Sequence, residues 1–168
     1  MVVMKGFNND EITDFVELTK NNDITVRFIE LMPFDSHQIW KTGKFYRADH
    51  IVNDLRSHYR TLSPVTGSST EYYIFKIKEY AGRVAVIPSY TRSLCSACNR
   101  IRVTADGNLL NCLYSRSETN MRDAIRNGMK NEGLKNLIVG SMQKKLKDGL
   151  IAQNPGKDSR ESMTQIGG

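Results

Sequence analysis

The sequence predicts an α/β protein with a parallel sheet or barrel, because a strand, a helix and a second strand follow one another in the first 32 residues. Residues 1–4 predict the first strand, and Asn8 with the acids after it predicts the start of the helix. Residues 24–32 form a nearly continuous apolar run that ends at Pro33, which is typical of a strand covered on both faces. The second half adds β-rich runs separated by turn residues, which indicate antiparallel hairpins.

The elements after this βαβ unit are a helix, two hairpins and two further helices. Apolar residues at helical spacing predict the first helix, and Ala-Gly and Asp-Gly turns predict the hairpins. The next helix is predicted to begin at Thr119, as its N-cap, and to end at Gly128. The predicted ranges are 48–59 for the first helix, 71–77 with 83–87 and 101–104 with 109–111 for the hairpins, and 119–128 and 134–148 for the final helices.

The composition divides the chain into three segments. The β-rich texture begins near Leu62, and the stretch after residue 150 is polar and contains several small residues. We therefore expect a first domain over residues 1–61, a second over residues 62–150 and a flexible tail over residues 151–168.

The bulk composition limits the classes of function. Of 168 residues, 39% are hydrophobic, and no apolar run reaches the roughly 20 residues of a membrane span. The first residues lack the pattern of a signal peptide. Three cysteines, an odd number, argue against a disulfide framework and favour a reducing compartment. The net charge of +6 indicates an anionic partner, with nucleic acid, a nucleotide and a basic surface without a ligand all open at this point.

Three cysteines are predicted to converge. Two residues separate Cys95 from Cys98, which lets both sulfurs reach one metal or cluster, and the Asp-Gly hairpin brings the chain back at Cys112. An iron–sulfur cluster explains all three cysteines and leaves one iron without a protein ligand. A structural zinc site needs a fourth ligand, which no cysteine or histidine supplies at the usual spacing. A thioredoxin-like pair leaves Cys112 unused, and three free buried cysteines do not explain the convergence.

Basic side chains surround the cysteines. Arg100 and Arg102 are two apart on a predicted strand, so they are expected on the same face. Two guanidinium groups side by side bind a polyphosphate through bidentate, charge-assisted hydrogen bonds. The alternative is a solvated basic edge strand. The segment holds four arginines and one acid between them, namely Arg92, Arg100, Arg102, Arg116 and Asp106.

This segment resembles the GTP 3',8-cyclase family (molybdenum cofactor biosynthesis protein A) of radical S-adenosylmethionine enzymes. The resemblance rests on Cys-Ser-Ala-Cys-Asn-Arg-Ile-Arg-Val-Thr-Ala-Asp-Gly-Asn-Leu from Cys95, followed by Asn-Cys-Leu. Residues 27–33, Arg-Phe-Ile-Glu-Leu-Met-Pro, look like the strand-to-loop segment late in the family's barrel. The chain ends in Ile-Gly-Gly, similar to the family's double-glycine terminus. The resemblance therefore extends over essentially the whole chain.

The resemblance implies both a fold and a reaction. The implied fold is α/β, the C-terminal part of an incomplete β/α (TIM-like) barrel followed by a small α+β domain with a second iron–sulfur cluster. In the family, an N-terminal cluster cleaves S-adenosylmethionine, and the resulting radical abstracts a hydrogen from the ribose of GTP. The product is (8S)-3',8-cyclo-7,8-dihydroguanosine 5'-triphosphate, an intermediate of molybdenum cofactor biosynthesis. The second cluster, a 4Fe–4S cluster, binds the GTP base through its open iron.

By position, the resemblance also implies roles for single residues. Arg27 has two interpretations, a contact with GTP or an ion pair with Glu30. The ion pair is an alternative because a charge inside a buried run is costly unless it is paired. The implied roles are cluster ligands for Cys95, Cys98 and Cys112, GTP contacts for Arg100, Ile101, Arg102 and Arg27, a contact with S-adenosylmethionine for Met32, and catalytic positions in the active site for Gly167 and Gly168.

The chain departs from the family pattern in two places. The C-x3-C-x2-C motif of the first cluster is absent, because no cysteine precedes Cys95. Residues 159–163 read Ser-Arg-Glu-Ser-Met where the family more often has Arg-Pro-Met. We therefore expect that the chain alone is inactive, and that S-adenosylmethionine and the other cluster are bound only in the full-length enzyme. The expected partners are GTP and a missing N-terminal half, with a homodimer as a further candidate, but neither nucleic acid nor a membrane. The expected location is the cytoplasm, or the mitochondrial matrix in a eukaryote.

Two other classes of function stay open. A Gly-Gly terminus also marks ubiquitin-like sulfur carriers, although these are small β-grasp domains and this chain opens with a βαβ pattern. A basic zinc-binding nucleic-acid module is consistent with an isoelectric point near 9.3. Metal analysis distinguishes them, because iron with sulfide indicates the cyclase, zinc indicates the module and neither metal indicates the carrier.

Overall fold

The computed structural model describes residues 1–32, 43–66, 72–91, 98–115, 117–147 and 151. The chain divides into two compact units, Met1–Leu94 and Cys95–Gly168. The mixed α/β class is confirmed, whereas the barrel and the cluster domain are finer predictions that stay open. The predicted tail lies outside the described residues, apart from residue 151.

A five-stranded mixed sheet forms the framework of the first unit. Its strands are β1 (Val2–Val3), β2 (Thr25–Glu30), β3 (Ser63–Pro64), β4 (Tyr73–Lys76) and β5 (Arg83–Ile87), and its helices are a 3-10 turn (Asn9–Glu11), α1 (Ile12–Glu17) and α2 (Ala48–His58). The strand order is β1-β2-β5-β4-β3. The strands β1, β2 and β5 run parallel, whereas β4 is antiparallel to both β5 and β3.

The pairing of these strands confirms the βαβ unit and the first hairpin. Strand β1 pairs in parallel with β2, and β4 pairs in antiparallel with β5. Strand β5 also lies parallel to β2, from the pair Thr25 and Arg83 to the pair Ile29 and Ile87. Strands from both sides of residue 61, the expected end of the first domain, belong to this one sheet.

Asn8, at the predicted start of the first helix, contacts the backbone of the first strand and does not cap the helix. The side chain of Asn8 accepts a hydrogen bond from the backbone amide of Met4 (2.8 Å) and donates one to the carbonyl of Val2 (3.0 Å). It makes no capping hydrogen bond to the 3-10 turn. The predicted cap is therefore wrong, and Asn8 instead fixes the end of β1.

The core of the first unit contains apolar side chains from its parallel strands, its hairpin and both helices. Residues of β2 alternate, with Phe28 and Glu30 buried and Arg27 exposed, so the coverage of both faces expected for this strand is not seen. Gly82 comes so close to the loop before β2 that a Cβ there would lie 2.2 Å from the carbonyl oxygen of Ile24. The buried residues that pack into one core cluster are Val3, Ile12, Val16, Phe28, Ala48, Ile51, Leu55, Phe75, Ile77, Val84 and Val86.

The second unit has a smaller antiparallel sheet and two helices. Its elements are β6 (Arg102–Val103), β7 (Asn108–Leu110), β8 (Thr119–Asn120), α3 (Met121–Arg126) and α4 (Asn131–Gln143). The strand order is β6-β7-β8, and the pairing of β6 with β7 confirms the second predicted hairpin. Its turn requires a glycine, because Gly107 has a φ of +84° and a Cβ there would lie 2.5 Å from the Cβ of Arg122.

The helices of this unit begin at other residues than predicted. Asn120 caps α3, since its side chain accepts a hydrogen bond from the backbone amide of Asp123 at 2.9 Å. Thr119, the predicted cap, instead pairs with Leu109 between β8 and β7. Helix α4 starts at Asn131 and is followed by Lys144, so it lies several residues before the predicted range. In the part of the chain that the structure describes, no helix has the length and apolar character needed to cross a membrane.

Candidate functional site

Glu30 is the last residue of β2 and lies where the carboxyl ends of the parallel strands meet. None of its surface is exposed. One carboxylate oxygen accepts a hydrogen bond from the backbone amide of Ala48 at 2.5 Å. The other accepts from the backbone amides of Tyr90 at 2.7 Å and Thr91 at 2.8 Å. The Thr91 hydroxyl also donates to the carboxylate, at 3.0 Å.

These contacts satisfy groups that would otherwise be buried without partners. Ala48 is the first residue of α2, so its amide has no acceptor within the helix and lies at the positive end of the helix dipole. A buried carboxylate is costly unless hydrogen bonds replace its water. Glu30 therefore joins β2, the start of α2 and the segment after β5. In the sequence, Thr91 precedes Cys95 by four residues.

Two residues to which the resemblance assigns roles lie on or just after the same strand. Arg27 is exposed on the opposite face of β2 from Glu30, and its guanidinium lies over the ring of Tyr72, with 5.4 Å from Cζ to the ring centroid. The alternative pairing of Arg27 with Glu30 is therefore wrong. Met32 is half-buried two residues after β2, at the carboxyl end of the strand, where parallel α/β folds place their ligands.

Cys98, in the second unit, has a cationic environment. The ammonium group of Lys145 donates to the Cys98 sulfur at 3.5 Å and to the carbonyl of Arg100 at 2.8 Å. Partial burial raises the pKa of the Cys98 thiol, but hydrogen bonds from the backbone and side chain of Arg100, together with the Lys145 charge, lower this pKa overall. The environment therefore favours the thiolate, which is the form that binds metals.

Cys112 lies two residues after β7 and is half-buried. Its neighbour Asn111 donates from its side-chain amide to the carbonyl of Ser141 in α4, at 2.8 Å. Both of these polar residues are buried. Helix α4 and the turn after it therefore contact both cysteine segments, that of Cys112 through Ser141 and that of Cys98 through Lys145.

The residues predicted to contact GTP lie next to these cysteines. Arg102 begins β6 and pairs with Leu110, the residue two positions before Cys112. Arg100 and Ile101 precede the strand and are exposed. The argument that both arginines share one strand face is therefore wrong, because the strand begins at Arg102.

Cys95, Gly167 and Gly168 lie outside the described residues, so their roles stay predictions. Within the ranges that the structure describes, no three His, Cys, Asp or Glu side chains group as ligands for a metal ion. The two described cysteines nevertheless fit a thiolate-bound cluster. Both are free thiols, both are half-buried, and the segments of both contact one helix and the turn after it.

Sequence reasoning missed two residues that position these segments. Glu30 is predicted only as a partner for Arg27, although an acid at the end of an apolar strand is itself a sign of a buried polar anchor. Lys145 has no distinguishing signal in the sequence, where it is one of several lysines near the end of a predicted helix.

Comparisons with known proteins agree on one family. The family model Molybdenum Cofactor Synthesis C matches residues 24–150. A GTP 3',8-cyclase of Chlorobaculum tepidum is 44% identical over 167 residues, which cover 99% of this chain and 50% of that protein. The mitochondrial GTP 3',8-cyclase of Arabidopsis thaliana is 36% identical, over 99% of this chain and 43% of its own length. Molybdenum cofactor biosynthesis protein 1 of Homo sapiens is 37% identical, over 86% of this chain and 23% of its own length.

The chain thus spans half or less of the length of these relatives, and it matches the C-terminal part of the cyclases. The chain belongs to the Molybdenum Cofactor Synthesis C family. The resemblance found in the sequence is confirmed.

Replacement of Glu30 with Gln should destabilise the first unit. Gln has a similar shape, but its NH2 group would face backbone amides and leave at least one buried donor without an acceptor. One such donor costs about 1–3 kcal/mol, in addition to the loss of charged hydrogen bonds. Chemical denaturation followed by circular dichroism measures the change in the free energy of unfolding.

Glu132→Gln is the matched control, because the Glu132 side chain is 76% exposed. Its unfolding free energy should stay within about 0.5 kcal/mol of the parent. An E30Q variant as stable as E132Q would mean that the Glu30 contacts do not hold the sheet edge together.

Proposed function

We propose that this member of the Molybdenum Cofactor Synthesis C family is the C-terminal part of a GTP 3',8-cyclase and holds a substrate-binding 4Fe–4S cluster. Cys95, Cys98 and Cys112 are its ligands, and one iron stays open because the chain has only three thiolates. The proposal is carried by the contacts of α4 and Lys145 with the segments of Cys98 and Cys112. When bound, the cluster supplies an iron that a guanine base can ligate.

The surrounding arginines bind the triphosphate of GTP. Arg100 lies within the same contacts that position Cys98, and Arg102 lies at the open end of the hairpin that leads to Cys112. Guanidinium groups bind phosphate oxygens through paired, charge-assisted hydrogen bonds. The backbone of Ile101 lies between them and contacts the nucleotide, and Arg27 is a further GTP contact. The net charge of +6 attracts the anionic substrate.

The complete reaction belongs to the full-length enzyme, a lyase that converts GTP to (8S)-3',8-cyclo-7,8-dihydroguanosine 5'-triphosphate. S-adenosylmethionine and the radical-generating cluster are bound mainly by the N-terminal part, to which this chain adds Met32. Gly167 and Gly168 enter the active site, where residues without side chains fit a narrow passage. The enzyme acts in the cytoplasm or, as the name of the Arabidopsis relative indicates for that protein, in mitochondria.

Anaerobic reconstitution of the chain with iron and sulfide should give about four irons per chain. Cys112→Ala should lose most of this iron, because two thiolates do not retain the cluster. Iron and acid-labile sulfide are measured per chain after desalting. Ser117→Ala is the control, since it changes an exposed residue in the same segment and should bind iron like the parent. Full iron content in a Cys95, Cys98 and Cys112 triple alanine variant, or zinc in place of iron in the parent, would contradict the proposal.

Arg102→Ala should weaken the binding of GTP to the cluster-loaded chain about tenfold or more, because a charged hydrogen bond contributes about 1.5–3 kcal/mol. Isothermal titration calorimetry measures the affinity, and iron content confirms that the cluster is retained. Arg126→Ala removes the same charge from an exposed position at the end of α3 and should leave the affinity unchanged. Equal loss of affinity in both variants would mean that only the overall charge attracts GTP.

A further inference from the structure

The ammonium group of Lys145 contacts the Cys98 segment, but Lys145 is neither a cluster ligand nor a GTP contact in the function proposed above. It donates to the Cys98 sulfur at 3.5 Å and to the Arg100 carbonyl at 2.8 Å. The backbone of Lys145 is fixed as well, because its amide donates to the carbonyl of Met142 at 3.0 Å, in the last turn of α4. One side chain thus contacts a predicted cluster ligand and the backbone of a predicted GTP contact.

The position of this lysine differs from that of its neighbours. Lys144 and Lys147 are exposed, as is usual for cations near the C-terminal end of a helix. Lys145 is half-buried, which restricts the conformations of a long side chain and removes part of its water. The two hydrogen bonds offset that cost, so this orientation depends on the sulfur and the carbonyl that it contacts.

A donor on the sulfur has a defined effect once that sulfur ligates iron. Hydrogen bonds to ligand sulfurs and nearby charge are among the factors that set the reduction potential of iron–sulfur clusters. The reduced cluster carries one more electron than the oxidised one, so a cation at the sulfur stabilises the reduced state more. The Lys145 contact should therefore raise the potential.

We propose that Lys145 is a positioning residue of the cluster site: it holds the Cys98 segment on the end of α4 and raises the reduction potential of the cluster through its N–H···S contact. The inference rests on the proposed function, because it requires that Cys98 ligates a cluster. It adds a residue outside the cysteine and arginine signature to the site.

The test is a redox titration of the reconstituted chain with dithionite, which donates one electron per cluster, followed by electron paramagnetic resonance. Lys145→Met removes the charge and the donors with a side chain of similar length. We expect the equilibrium constant for reduction of the cluster to fall about tenfold in K145M. This corresponds to a reduction potential about 59 mV more negative for a one-electron couple. Lys144→Met is the matched control, because it removes the same charge from the adjacent exposed residue. Lys145→Arg, which keeps a charged donor, should recover part of the shift.

The outcomes separate the two proposals. A K145M potential equal to those of the parent and K144M overturns the role of Lys145 while the cluster itself stands. Equal shifts in K145M and K144M also overturn it, since charge alone would then explain the effect. If K145M does not fold, Lys145→Leu, which also lacks the charge and the N–H donors, is titrated instead, and an unchanged K145L potential overturns the inference. Absence of iron and sulfide from the parent chain overturns the proposed function, and the inference with it.

Discussion

The hydrogen bonds to the buried carboxylate of Glu30 hold the first unit together at the carboxyl ends of its parallel strands. The Glu30 side chain lies at the carboxyl edge of the parallel strands. It accepts hydrogen bonds from the backbone amides of Ala48, Tyr90 and Thr91. Its charge is tolerated because these donors replace its water and because the start of a helix is positive. The same contacts hold Tyr90 and Thr91 at the edge of the sheet where parallel α/β proteins bind ligands.

The second unit uses the opposite charge for a comparable purpose. Lys145 follows α4, where the last carbonyl groups favour a cation, and its ammonium contacts the sulfur of Cys98. The hydrogen bond from Asn111 to Ser141 joins the same helix to the segment of Cys112. In the first unit, Glu30 joins the start of α2 to Tyr90 and Thr91. In the second unit, α4 and Lys145 contact the segments that contain Cys112 and Cys98.

Local elements could be predicted from the sequence because neighbouring residues encode them. The Asp-Gly turn is an example, since Gly107 alone provides the positive φ that the hairpin requires. Long-range pairing has no such local signal, and the sequence does not predict the parallel pairing of β5 with β2. Glu30 and Lys145 make their contacts with backbone amides and a sulfur that are distant in the sequence. Such contacts cannot be predicted from the periodicity of apolar residues. Strand β6 is also shorter than the predicted strand over residues 101–104, and Arg100 precedes it by two positions.

The proposed cluster has three thiolate ligands from this chain and one iron open to GTP. Mössbauer spectroscopy of the chain, reconstituted with enriched iron and measured with and without GTP, tests this open site. GTP should change the signal of one iron in the cluster and leave the other three unchanged, because only one iron lacks a thiolate ligand. A four-iron spectrum that is the same with saturating GTP would contradict the open-iron site.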